Sequence, residues 1–137
     1  MSEAKQATFS FQNFRVLKSV LSFTDIKGID FKINISPKGE YSKSKKIYTL
    51  ILDVKVDTNL NANVITIVAE SKFFLDEQIQ DEIPAYFTLN APAITFPYIR
   101  AYIAALTSLS GIGTMNLPIL NLVDLIEKLK ENYSVTE

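Results

Sequence analysis

The sequence contains no cysteine, which excludes disulfides, thiolate metal ligands and a cysteine nucleophile together, and fits a reducing compartment. It contains no histidine either, so the commonest metal ligand and the commonest general base near neutral pH are both missing. It lacks a charge bias. Lys and Arg number 14 against 15 Asp and Glu, and the formal net charge of -1 is too weak to recruit phosphate backbones or an anionic membrane. Nucleic acid is therefore not expected as a partner. No stretch reaches the roughly 20 apolar residues of a membrane span, and Met1 to Gln12 shows no charged segment followed by an apolar run. The expectation is a soluble, cytoplasmic chain without membrane insertion.

What is present suits a packed core. The 137 residues match the usual size of one domain, and 47% hydrophobic with 21% charged residues is far from a disordered composition. A single domain over residues 1–137 is expected.

After a short lead over Met1 to Ala7, a first strand is read in which Phe9, Phe11, Asn13, Arg15 and Leu17 share one face and Ser10, Gln12, Phe14 and Val16 the other, both faces mixed. Extended segments follow over Val20 to Ile26 and Phe31 to Ile35, where Phe31, Ile33 and Ile35 alternate with Lys32 and Asn34. Pro37 to Lys46, rich in lysine and serine with Pro37 and Gly39, reads as a solvated loop. The clearest strand runs from Ile47 to Leu60, with Tyr48, Leu50, Leu52, Val54 and Val56 on one face. A turn over Asn59 to Asn63 joins it to a partner over Val64 to Leu75, an antiparallel hairpin.

Helical patterns come later. Beyond the acidic stretch Asp76 to Glu82 and an extended piece from Pro84 to Pro92, a helix is predicted over Phe96 to Leu109, with Thr95 as cap candidate and Pro97 in the first turn. Gly111 and Gly113 end it, and a second helix from Leu122 to Asn132 carries Leu122, Leu125, Ile126 and Leu129 on one side, capped by Asn121. Strands followed by helices indicate an α+β fold.

No motif speaks for catalysis. Asp76, Glu77, Asp81 and Glu82 cluster, but on a loop with nothing to desolvate them. Gly111-Ile112-Gly113-Thr114 is not followed by Lys and closes a helix where a phosphate loop would open one. Lys43, Lys45 and Lys46 could steer an acidic partner but read as part of a solvated surface loop. Without His or Cys an enzyme is not expected, and neither a metal nor a cofactor is called for. The aromatic residues Phe9, Phe11, Phe14, Phe23, Phe31, Phe73 and Phe74 exceed what one covered sheet face needs, which points to a second covered surface between subunits.

Phe96-Pro97-Tyr98-Ile99-Arg100, preceded by Asn90-Ala91-Pro92, resembles the Phe-Pro-Tyr-Ala-Arg helix start of the SecB family of export chaperones. Gly113-Thr114, Asn116-Leu117-Pro118 and Asn121-Leu122-Val123-Asp124-Leu125 are similar to the segment between that family's two helices. Phe9-Ser10-Phe11-Gln12 resembles its first strand, and Tyr48 to Val56 its central one, so the resemblance covers nearly the whole chain.

The resemblance implies a four-stranded antiparallel sheet with two C-terminal helices packed on one face, assembled as a homotetramer, a dimer of dimers. It implies an ATP-independent holdase that binds unfolded polypeptide in apolar surface grooves and, in protein export, hands it to the SecA motor. By position, the client groove falls on Phe31, Ile33, Ile35, Leu122, Leu125, Ile126 and Leu129, for each of which ordinary core packing is the competing reading. Tyr98, Arg100 and Tyr102 fall at the oligomer interface. The family's zinc-binding tail of Cys and His ligands, which docks on SecA, has no counterpart, since neither residue occurs. The family also contacts SecA through acidic residues on its sheet surface, and Asp53, Asp57 and Glu70 are the candidates here. The alternative is an oligomeric adaptor, or a dedicated chaperone for one fixed partner such as an antitoxin.

Overall fold

The structure, a computed structural model, describes residues 8–22, 30–58, 63–77 and 82–137. The lead over Met1 to Ala7, the Phe23 to Ile26 end of the second extended segment, most of the turn after Thr58, and Asp81 lie outside the described residues.

The sheet is organised by β3 (Ile47–Thr58), whose alternation places Tyr48, Leu50, Leu52, Val54 and Val56 on one face, all fully buried. Each such side chain contributes roughly 1.5–3 kcal/mol relative to exposure. On one side β3 pairs antiparallel with β4 (Asn63–Leu75), setting Phe73, Ser71, Ala69, Ile67 and Ile65 opposite those residues. On the other it pairs with β2 (Phe31–Ser42) without a break in register. β1 (Phe9–Leu21) lies along β4, completing four antiparallel strands.

Two features of these strands depart from the sequence reading. In β1, register shifts between Phe11 and Asn13 and between Val16 and Lys18 mark bulges. A bulge reverses the phase of alternation. Phe9, Phe11, Phe14 and Val16 therefore all pack toward the core, and the mixed faces expected of this strand are not observed. In β2, the loop expected over Pro37 to Lys46 is strand as far as Ser42, and only residues 43–46 turn. Pro37 is tolerated because, among the described residues, no strand lies on the outer side of β2 along its first two thirds. Gly39 is buried because the Tyr48 side chain occupies the space a Cβ would need.

The sheet also has a fifth strand. β5 (Tyr133–Thr136) runs parallel to β2, giving the order β1-β4-β3-β2-β5, so the sheet is mixed and five-stranded where four antiparallel strands were expected. Four residues are too few to reveal a strand by periodicity.

The segment Pro84 to Pro92, expected to be extended, contains a π-helical turn over Tyr86–Asn90 that runs into α1 (Ala91–Ser110). This helix begins five residues before the predicted Phe96, because Pro92 occupies its first turn, where a missing N–H is harmless, while Pro97 sits inside it. Thr95 is not a cap. Its hydroxyl is buried 2.8 Å from the Ala91 carbonyl and 2.9 Å from Ser71 Oγ, tying α1 to β4. Gly111 (φ 82°) ends the helix in the left-handed conformation. The second helix, α2 (Asp124–Glu131), starts two residues later than predicted, after a turn in which Asn121 Oδ1 accepts from the Val123 N–H at 3.1 Å. α1 lies on β4 and β1, α2 on β2, both over the sheet face that carries Tyr48 and Leu52.

Candidate functional site

Four of the residues singled out from sequence converge on one groove. Ile33 and Ile35 from β2 meet Leu122 from the turn before α2 and Leu125 from its first turn, and with Asn34, Leu120, Asn121, Asp124 and Lys128 they line a cavity of about 220 Å³. The convergence follows from two periodicities. Alternate residues of β2 point toward the helices, and Leu125 and Leu129 recur at helical spacing on the α2 side that faces the sheet, with Leu122 in the turn just before it. Leu125 and Ile35 form the buried floor, at 4% and 8% exposure, while Ile33 and Leu122 are half-buried walls. Lys128 reaches across the groove, its Nζ 3.5 Å from the Ile35 carbonyl.

The remaining candidates are distributed around it. Phe31 and Ile126 are half-buried. Leu129 is fully enclosed in the core and does not line the groove. Leu120 and Lys128, which the sequence reading missed, carry no periodic signal: Leu120 lies in the irregular connection after α1, and Lys128 is one of many surface lysines by pattern. That connection is held in place by polar contacts. Arg100 Nε donates to the Leu117 carbonyl at 3.1 Å, and the Met115 N–H donates to Thr107 Oγ1 at 2.8 Å.

At the far end of β2, Tyr41, Tyr48, Phe87 and Tyr133 form an aromatic cluster. Tyr48 stacks on Phe87 with centroids 3.8 Å apart and rings 3° from parallel, and its hydroxyl donates to the Phe87 carbonyl at 3.3 Å. Burial pushes the Tyr48 phenol far above its ordinary value. The Tyr133 phenol is pushed up to about 12, first by burial and then by Tyr41 beside it.

The opposite sheet face carries Asp53, Asp57 and Glu70, as their register partners Ser36, Lys32 and Ile51 require. Glu70 is 8% exposed and receives Arg15 Nε at 2.8 Å, so its charge is engaged within the chain. Asp57 accepts from Asn63 at 3.0 Å and Asn34 at 3.3 Å. One oxygen of Asp53 is buried without a hydrogen-bond partner among the described residues.

Tyr98 is 47% exposed and stacks on Phe11 and Phe14 with centroids 5.4 and 5.1 Å away, while Arg100 and Tyr102 are half-buried. Among the described residues no cluster of three acidic side chains could hold a metal, and no helix is long and apolar enough to cross a membrane.

No family model matches the chain. An uncharacterized protein of Methanocaldococcus jannaschii is 28% identical over 83% of this chain and 87% of its own. Protein-export protein SecB of Anaplasma phagocytophilum is 29% identical over 76% of this chain and 75% of its own, and that of Rhodospirillum centenum is 27% identical over 88% and 72%. Among solved structures, a SecB-like chaperone of Mycobacterium tuberculosis, in complex with a ChAD peptide from the HigA1 antitoxin, superposes with a TM-score of 0.67 at 16% identity, covering 82% of this chain and 88% of the other. At that identity the superposition speaks for the fold.

Proposed function

We propose that this chain, a divergent member of the SecB-like family, is an ATP-independent holdase that keeps non-native polypeptide in the groove between β2 and α2. The observation that carries the reading is the groove itself: half-buried apolar walls at Ile33 and Leu122 lie beside a strand edge left without a neighbouring strand among the described residues. Recognition of many sequences calls for apolar area and backbone partners, because both are common to every unfolded chain. SecB-like chaperone relatives support the role.

The same surface properties support self-association. α1 has one charged residue in 20, Arg100, and its exposed side presents Ile94, Tyr98, Ala101, Ala105 and Leu109 at helical spacing. A helix apolar on its outer side as well as its inner one is stable when another subunit covers it. A homo-oligomer built on α1, with Tyr98 at its centre, follows. Delivery to SecA would use Asp53 and Asp57 on the opposite face; Glu70 is committed to Arg15. The place of action proposed is the cytoplasm.

A second reading, a chaperone dedicated to one partner, is favoured by one observation: the structural neighbour is held in complex with an antitoxin peptide. Titration of several unrelated, permanently unfolded proteins separates the two. A holdase binds most of them with similar affinity, and Ile33→Asp or Leu122→Asp weakens all of them while leaving the melting temperature within a few degrees. Binding restricted to one partner sinks the general reading.

A further inference from the structure

The outer edge of β2 is occupied along only part of its length. β5 covers it from Gly39, opposite Tyr133, to Ser42, opposite Thr136, and from Phe31 to Lys38 no strand lies beside it among the described residues. The Gly39 and Lys43 N–H groups donate outward, to the Asn132 and Thr136 carbonyls at 3.1 and 2.9 Å. The unbroken β2–β3 register then turns the backbone groups of Phe31, Ile33 and Ile35 to the same side. The edge beside the groove and the edge under β5 are therefore one pairing surface, interrupted at Pro37, which has no N–H, and with the Ile35 carbonyl taken by the Lys128 side chain at 3.5 Å, a contact a pairing chain displaces.

β5 is a poor occupant of its share. It is four residues long and parallel, and Ser134, Val135 and Thr136 are exposed. Its anchor is Tyr133, whose ring sits 6.0 Å from Phe87 and 6.4 Å from Tyr48. The Tyr133 hydroxyl is buried there without a hydrogen-bond partner among the described residues, a net penalty that a phenylalanine or leucine in the same slot would not incur. On the opposite sheet face residues 131–134 border an open surface depression of about 540 Å³ with Lys38, Ile51 and Asp53, so no further element covers β5 from that side among the described residues. The strand is present, aligned and imperfectly packed.

We propose that β5 is an internal competitor: it holds the aromatic slot and the far end of the β2 edge while no client is bound, and yields both to an extended client segment bearing an aromatic or large aliphatic side chain. The inference rests on the holdase reading and adds to it a named segment of this chain that must leave. The client then continues from the groove at Ile33 along β2 to Ser42, its backbone replacing the hydrogen bonds β5 gives up and its side chain replacing Tyr133. Affinity is reduced by the fraction of molecules in which the strand is closed, so holding the strand shut or open moves it in opposite directions.

The sequence has no cysteine, so Glu40→Cys with Ser134→Cys creates a single pair at directly opposed positions of the two strands. The probe is a dye-labelled, reduced and carboxymethylated globular protein that cannot refold, titrated against the full chain. The oxidised pair is expected to bind about tenfold more weakly than the same protein after reduction. In the otherwise natural chain, Ser134→Pro, which removes an N–H directed at β2 by the parallel ladder, tightens binding, and Tyr133→Phe, which relieves the unpartnered hydroxyl, weakens it. Equal affinity of oxidised and reduced forms, with Ser134→Pro and Tyr133→Phe both matching the parent, overturns the competitor while leaving the holdase standing. If the parent and every variant fail to bind the probe, the holdase reading itself is wrong and the competitor falls with it.

Discussion

Replacing Gly39 by alanine tests how tightly the edge of the core is built. A Cβ at this position falls against the Tyr48 hydroxyl, 2.9 Å from Cε1 and 3.0 Å from Cζ. Tyr48 has nowhere to retreat: it is fully buried, stacked on Phe87 at 3.8 Å, and hydrogen-bonded to the Phe87 carbonyl. Overpacking of this kind costs about 1–3 kcal/mol, which for a chain of 137 residues lowers the melting temperature by roughly 3–10 °C. Calorimetric melts of Gly39→Ala and of the parent, both at one fixed protein concentration, measure it. The hydroxyl is the nearest atom, so in a Tyr48→Phe background the alanine should be less harmful by about 0.5–1 kcal/mol, a coupling readable from a double-mutant cycle. An unchanged midpoint for Gly39→Ala, or strict additivity with Tyr48→Phe, would mean that Tyr48 does not limit the space at Gly39.

Gly111→Ala meets no atom within 4 Å, yet its φ of 82° is left-handed, so a loss of about 1 kcal/mol is expected from conformation alone, seen as a small drop in melting temperature. Thr95→Val leaves the fully buried Ser71 hydroxyl without its neighbour, and chemical denaturation should register about 1–3 kcal/mol of lost stability. The raised phenols of Tyr48 and Tyr133 stay protonated in the fold at a pH where the unfolded chain loses its protons, so their contribution is complete below about pH 10. Stability should fall as pH rises from there, with the Tyr133 share lost by about pH 12, and Tyr133→Phe should flatten that decline in melts across the window.

Where one physical signal dominated, the sequence was readable. β3 has one covered face, and its strict alternation placed Tyr48, Leu50, Leu52, Val54 and Val56 correctly. β1 misled because each bulge shifts the alternation by one residue, and nothing local distinguishes Gln12 or Leu17 as the extra one. Pro37 and Gly39 carry turn chemistry, but at a partly open sheet edge a proline is tolerated, and Gly39 answers to Tyr48, a contact across strands that no local window contains. The groove was partly legible: Ile33, Ile35, Leu122 and Leu125 come together because a strand period and a helix period each present one apolar side to the other element. Leu129 shares that helical side, yet one turn further along it is enclosed in the core, showing that periodicity finds the packed side of a helix without separating floor from opening. β5 and Tyr133 were not legible, since a four-residue strand has too little pattern and its partner lies about 90 residues away.

Whether this chain holds unfolded polypeptide is decided by light scattering of several unrelated proteins diluted from denaturant. Stoichiometric amounts of the folded chain are expected to suppress scattering for most of them without added nucleotide, and Leu122→Asp to remove the effect. Scattering curves that coincide with and without the chain, for every test protein, would contradict the holdase reading.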